Sequence, residues 1–102
     1  MLAGCATGAA LRNARRAENR QDYDRAVVEY STALKRDPDN VNARTGLQRA
    51  RIRSAQDHYT RGRRLAMAGK LSEAVTEYQL AAEMNPDAGE IQSELHGRIY
   101  QT

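Results

Sequence analysis

The chain has 102 residues, of which 40% are hydrophobic and only 5% aromatic, all of them tyrosine. Helix-forming alanine, arginine and glutamate are abundant and strand-forming residues are sparse, so the composition excludes a β-sandwich or barrel and predicts an all-α fold. The formal net charge is +3, with +7 on residues 1–64 and −4 on residues 65–102. A short helical chain leaves little room for a shaped pocket, so we expect no enzyme and no bound cofactor.

The single cysteine lies within the first six residues. Leu2-Ala3-Gly4-Cys5 resembles the lipobox of bacterial lipoproteins, in which a peptidase cuts before the cysteine and the thiol carries a lipid. A charged start and an apolar stretch normally precede a lipobox, whereas only Met1 precedes this one. Either the start is placed too late, or the signal has been trimmed, or the match is chance. We predict a signal remnant over residues 1–6, with Cys5 as the lipidated residue.

The first helix is predicted over residues 8–20, and a duplicated segment follows it. Residues 22–39 and 70–87 align at an offset of 48 residues. Seven identities fall in register, which indicates an internal repeat because chance rarely aligns so many over so short a segment. The identical pairs are Ala26/Ala74, Val27/Val75, Glu29/Glu77, Tyr30/Tyr78, Ala33/Ala81, Pro38/Pro86 and Asp39/Asp87.

Each copy contains one predicted helix with its own start and stop signals. Apolar residues recur at spacings of three and four over residues 23–36 and 71–84, as they do on one face of a helix. Asp22 or Asp24 is expected to cap the first of these helices, and Ser72 the second. A proline follows each helix and ends it, because proline disfavours the helical conformation of the residue before it.

This pattern resembles the tetratricopeptide repeat, a helix–turn–helix unit of 34 residues. The second helix of that family carries a small residue, an aromatic residue, another small residue and then a proline. The matching residues here are Ala26, Tyr30, Ala33 and Pro38 in one copy, and Ala74, Tyr78, Ala81 and Pro86 in the other. The family's small residue in the first helix corresponds to Ala14 and Gly62, and its large residue at the start of the second helix to Tyr23 and Leu71. The resemblance implies helix pairs that cross closely at the small residues.

The offset of 48 exceeds the family's period by about two heptads. An insertion of that length returns a helix face to within about 40° of its starting direction, so it lengthens a helix without turning its apolar stripe away from the core. We therefore predict one long central helix over residues 40–68 and a last helix over residues 88–101. The predicted fold is an antiparallel helix–turn–helix array of about five helices over residues 7–102, with units at about 7–54 and 55–102.

The long predicted helix carries seven arginines and one acidic residue, Asp57. The arginines either form a basic ridge for an acidic protein or membrane head groups, or pair with glutamates of neighbouring helices. No recognition motif accompanies the charge, so nucleic acid is not an expected partner. His58 and His96 have no histidine or cysteine at ligand spacing, so we expect no metal site and a packing role for His58. The arginines are Arg44, Arg49, Arg51, Arg53, Arg61, Arg63 and Arg64, and the glutamates are Glu29, Glu73, Glu77 and Glu94.

In the tetratricopeptide family, a groove lined by the first helix of each unit binds an extended peptide or a helix of a partner protein. The resemblance, together with the basic ridge, predicts a partner-binding surface on this chain. Its residues are Asn13, Arg16, Arg20, Arg49, Arg53, Arg61, Arg64 and Met67.

The order of a lipobox, two such repeats and an arginine-rich helix also resembles the N-terminal segment of bacterial secretin-type outer-membrane proteins. This resemblance implies a lipid-anchored protein–protein interaction scaffold in the bacterial periplasm, held at the outer membrane, that serves assembly or docking of a secretion or pilus system. The alternative is a cytoplasmic adaptor that binds a partner peptide through a basic groove. Since three units are normally needed for stability, we expect an oligomer or a longer chain.

Overall fold

The fold is all-α and consists of five helices. The structure, a computed structural model, describes residues 2–101, and the side chains of residues 5–97. The helices are α1 (Leu2–Asn19), α2 (Tyr23–Arg36), α3 (Val41–Met67), α4 (Leu71–Met84) and α5 (Gly89–Gln101). No strand occurs between residues 2 and 101. The predicted all-α array with one long central helix is confirmed, and α3 is about 40 Å long at 1.5 Å per residue.

The main difference from the predicted helices lies at the N-terminus. Helix α1 begins at Leu2, six residues before its predicted start, so the residues around Cys5 belong to its first turns. Alanine is frequent there and favours the helix, and the burial of Thr7 and Ala10 fixes these turns against the core. The side chains of Leu2–Gly4, which belong to the lipobox resemblance, lie outside the described residues.

The turn between α1 and α2 closes with a Schellman motif. Asp22 N donates to Ala17 O at 2.8 Å, and Gln21 N donates to Glu18 O at 2.9 Å. Gln21 takes the left-handed conformation that the motif requires, with φ of 62°. Left-handed geometry at a non-glycine residue is unfavourable, so this turn is held at an energetic cost.

The turn between α3 and α4 has the same motif with glycine at the left-handed position. Lys70 N donates to Leu65 O at 2.9 Å and Gly69 N donates to Ala66 O at 3.0 Å. Gly69 has φ of 79°, which costs glycine little because it lacks a Cβ. The two turns therefore share their hydrogen bonds and differ in the residue that bears the strain.

The caps of α2 and α4 differ in the same way. The side chain of Asp22 accepts a hydrogen bond from Arg25 N at 3.2 Å, which confirms Asp22 as the N-cap of α2. Lys70 occupies the N-cap position of α4 and makes no capping hydrogen bond with its side chain. The expectation that Ser72 caps α4 is wrong, because the helix already begins at Leu71.

The chain forms two compact units, Met1–Arg51 and Ile52–Thr102. In the first unit α1 packs against α2, and the start of α3 completes the core. Small side chains dominate this core, so the helices can approach closely. Tyr30 fills the space beside the crossing and is fully buried. The buried residues of this unit's clusters are Ala10, Ala14, Ala17, Ala26, Tyr30, Ala33, Ala43 and Ala50.

The second unit consists of the end of α3 together with α4 and α5. Ala55, Ala81 and Ile91 form its buried cluster, and Tyr78 is fully buried beside Gly62. The ring of Tyr59 lies 5.7 Å from the ring of Tyr78, at an angle of 42°. Tyr78 and Gly62 thus meet as the sequence predicts for an aromatic residue beside a close helix crossing.

Candidate functional site

Three of the residues predicted to bind a partner lie together on one side of α1. Asn13, Arg16 and Arg20 are spaced by three and four residues, so they share a helix face. With residues of α2 they line a cavity of about 260 Å³ in the first unit. The remaining lining residues are Ala17, Asp22, Arg25 and Glu29.

A second cavity of about 260 Å³ continues along the same pair of helices. Asn13 and Glu29 line both cavities, so the two are contiguous. The other lining residues of the second cavity are Ala6, Ala9, Ala10, Thr32 and Arg36. Together the two cavities form what we call the α1–α2 groove. It lies wholly within the first unit, and Asn13 and Glu29 mark its centre.

The charges of the groove are only partly neutralised from within. Arg25 pairs with Glu29 at 2.9 Å, and the Glu29 side chain is only 12% exposed. Asp22 is engaged in capping α2. By contrast, Arg16, Arg20 and Arg36 have no ion-pair or hydrogen-bond partner among residues 5–97. The groove therefore presents three uncompensated guanidinium groups, which suit carboxylates of a bound molecule.

Arg49 lies outside the groove and belongs to a hydrogen-bonded network in the first unit. Its Nε and Nη2 atoms donate to the two carboxylate oxygens of Glu18, each at 2.7 Å. Its Nη2 also donates to the hydroxyl of Tyr30 at 3.2 Å, and that hydroxyl donates to Glu18. The Glu18 side chain is 14% exposed and that of Arg49 is 49% exposed. The network therefore ties α1, α2 and α3 together at the edge of the core.

The network shifts the protonation of two of its members. Burial, followed by the hydrogen bond that it donates to Glu18, raises the pKa of Tyr30 above its usual value of about 10. The hydrogen bonds with the Glu18 carboxylate raise the pKa of Arg49. Both shifts favour the arrangement of a protonated phenol, a protonated guanidinium and an ionised carboxylate.

The other predicted partner-binding residues belong to the second unit. Arg53, Arg61 and Arg64 are exposed on α3, and Met67, its last residue, is 85% exposed. None of the four lines the α1–α2 groove. The structure thus brings Asn13, Arg16 and Arg20 together and places the other predicted residues elsewhere on the chain.

His58 is buried in the second unit and contacts a carboxylate. Its Nδ1 atom lies 2.6 Å from Oε2 of Glu77 on α4. The expected packing role of His58 is consistent with this burial, although the spacing of the sequence did not indicate the partner. Within the described part of the chain, no cluster of three or more histidine, cysteine, aspartate or glutamate residues could hold a metal ion.

Sequence reasoning missed the α2 side of the groove. Arg25, Glu29, Thr32 and Arg36 follow the helical spacing of three and four, and so form a stripe beside the apolar face of α2. This stripe was visible in the sequence, but nothing in the sequence alone indicates that it faces Asn13 and its neighbours.

Two further observations concern surroundings and relatives. Cys5 is exposed on α1. No helix in the described part of the chain combines the length and apolar character that a membrane span requires. No protein-family model matches the chain, and no curated protein matches it significantly.

Proposed function

We propose that this chain is a non-enzymatic docking module that holds a segment of a partner protein in the α1–α2 groove. The observation that carries the proposal is the presence of three arginines in that groove without a partner among residues 5–97. Holding three like charges along one groove is unfavourable unless a ligand neutralises them. A protein segment can supply several carboxylates at once.

The proposal includes the tetratricopeptide type of architecture. The bounds of α2 and α4 differ by 48 residues at both ends, as do the ends of α1 and α3 and the starts of α3 and α5. The sequence repeat has the same offset. This agreement supports two copies of one helix–turn–helix unit, and arrays of such units serve as binding scaffolds.

We place the module at the bacterial outer membrane, facing the periplasm and anchored by a lipid on Cys5. The support is the resemblance of Leu2-Ala3-Gly4-Cys5 to a lipobox and the exposure of the Cys5 side chain. In that setting the docked partner is a component of a secretion or pilus system, as the resemblance to secretin-type proteins implies.

A cytoplasmic adaptor is the second candidate, and one observation favours it. Residues 2–6 are helical and continue directly into the packed part of α1. A segment that a peptidase processes has to be accessible and extended, whereas this one is integrated into a helix. In this candidate the Cys5 thiol stays free and the groove binds the same kind of partner.

Docking is tested by placing a photo-crosslinking amino acid at Asn13 of the full chain in the bacterium. The expected result is one dominant adduct, identified by mass spectrometry, that is absent when the crosslinker replaces exposed Gln56 in the second unit. Equal adducts from both positions, or none from Asn13, would contradict docking in the groove.

The cellular location is tested separately by metabolic labelling with an alkyne fatty acid. We expect the label on the wild-type chain in the outer-membrane fraction and its loss in Cys5→Ser. An unlabelled wild-type chain in the cytoplasmic fraction would contradict the anchored form and leave the adaptor.

A further inference from the structure

We infer that the occupant of the α1–α2 groove is an extended segment with acidic residues at both ends and an uncharged centre. This inference rests on the proposed docking function and adds the chemistry of the partner. It follows from the position of each charge along the groove, which the two cavities and their lining residues define.

The length of the segment follows from helix geometry. Arg20 and Arg25 line the cavity at one end, and Ala9 and Arg36 line the cavity at the other. Each of these helices advances about 16 Å between the two ends, at 1.5 Å per residue. An extended peptide covers about 3.3 Å per residue, so the groove spans about five residues. The acidic residues of the occupant should therefore lie about five residues apart.

The ends of the groove attract negative charge. Arg16 and Arg20 lie at one end and Arg36 at the other, and none of them has a partner among residues 5–97. A carboxylate can accept two hydrogen bonds from one guanidinium, which makes such a contact both strong and specific in geometry. We expect two carboxylates at the Arg16–Arg20 end and one at the Arg36 end.

The centre of the groove repels negative charge. Glu29 lies there, largely buried, and its one printed partner is Arg25 at 2.9 Å. A second carboxylate at the centre would face Glu29 and compete for Arg25, which costs free energy in a poorly hydrated place. Asn13, which also lines both cavities, offers a donor and an acceptor to a neutral peptide backbone.

This alternation distinguishes a peptide from a nucleic acid. A nucleic-acid strand carries a charge on every nucleotide, so it would place phosphates at the centre as well as at the ends. Each cavity is also smaller than the roughly 300–1,000 Å³ of typical small-molecule sites. An extended acidic segment of a protein fits both the charge pattern and the size of the groove.

The test uses blocked hexapeptides of glutamate and alanine with identical composition. In two of them the glutamates occupy both ends, with the adjacent pair at either the first or the last two positions. In the third, the glutamates occupy the three positions from the third to the fifth. Binding to the full chain is followed by nuclear magnetic resonance, using the side-chain amide of Asn13 and the Nε–H groups of the groove arginines.

We expect the better end-acidic peptide to bind at least about tenfold more tightly than the centre-acidic isomer, with an affinity that falls as salt rises. Arg16→Gln and Arg36→Gln should each weaken this binding several-fold. The matched controls are Arg15→Gln and Lys35→Gln, which remove the same charge from an adjacent exposed position outside the groove lining. Glu29→Gln should narrow the difference between the isomers, because it removes the central negative charge.

Equal affinities for the isomers, or equal losses in the arginine variants and their controls, would overturn the inference. Binding of none of the hexapeptides would overturn it too. The docking function is judged independently, by the crosslink at Asn13. An adduct there without a preference for the end-acidic peptides would leave a partner of different chemistry in the groove.

Discussion

Gly46 lies so close to the ring of Tyr30 that no side chain fits between them. A Cβ placed on Gly46 would overlap the ring and come within 2.8 Å of its Cδ1 atom. The second unit repeats the relationship, with a Cβ on Gly62 lying 2.6 Å from Cε1 of Tyr78. In both units a glycine of α3 allows a tyrosine to fill the core, which explains why these glycines occur in the middle of a helix despite their low helix propensity.

We predict that Gly46→Ala lowers the free energy of unfolding by about 2 kcal/mol. Overpacking a buried site typically costs about 1–3 kcal/mol, and the gain in helix propensity offsets only about 1 kcal/mol of a larger clash. Urea unfolding measures the change. Gly97→Ala in α5 is the control, because a Cβ there meets nothing within 4 Å and the propensity gain should then appear as added stability. A similar gain at both positions would contradict the close packing of Gly46 with Tyr30.

The raised pKa of Tyr30 predicts a loss of stability at alkaline pH. A phenol with a higher pKa in the folded state keeps its proton where the unfolded chain loses it, so folding is favoured fully below pH about 10 and less as the pH rises beyond it. The free energy of unfolding of the wild type should therefore fall more steeply above pH about 10 than that of Tyr30→Phe. Parallel curves for the two proteins would contradict the shift.

Replacing Arg49 should destabilise the first unit by about 1–2 kcal/mol. Arg49→Met leaves the largely buried carboxylate of Glu18 without its bidentate partner, a cost between those of exposed and fully buried pairs. The matched control is Arg15→Met on the exposed side of α1, which should change stability by less than about 0.5 kcal/mol. The free energies of unfolding in urea distinguish the two, and equal effects would mean that the ion pair contributes nothing.

The two Schellman turns give opposite predictions for glycine. Gln21→Gly should raise the free energy of unfolding by about 0.5–1 kcal/mol, since glycine relieves the left-handed strain at some entropic cost. Gly69→Ala should lower it by about 1 kcal/mol through backbone strain alone, because a Cβ at that position meets nothing within 4 Å. Thermal unfolding measures both, and a change of the same sign in the two variants would refute this explanation.

The missing cap of α4 can be supplied. Lys70 has φ and ψ of −88° and 70°, close to the −92° and 76° of Asp22, whose side chain does cap α2. Lys70→Asp should therefore stabilise the chain by about 1 kcal/mol through a new hydrogen bond and a favourable interaction with the helix dipole. The reverse test, Asp22→Ala, should cost about as much. Circular dichroism melts at low and high salt separate the two contributions, because salt screens only the dipole interaction.

The sequence by itself determined the helices and their ends. The bounds of α2 and α4 were predicted to the residue, and those of α3 and α5 to within one residue at their starts, because periodicity, prolines and turn residues are local signals. The start of α1 was missed, since its stability comes from the burial of Thr7 and Ala10 in tertiary packing.

Only the tertiary structure decided which charged side chains meet. The sequence placed Arg16, Arg49 and Arg64 in one candidate surface, whereas packing puts Arg16 in the groove, pairs Arg49 with Glu18 and leaves Arg64 exposed in the second unit. The face that an arginine presents is fixed by its helix, but the carboxylate across from it belongs to another helix. That pairing depends on the crossing of alanine-lined helices, which no local spacing encodes.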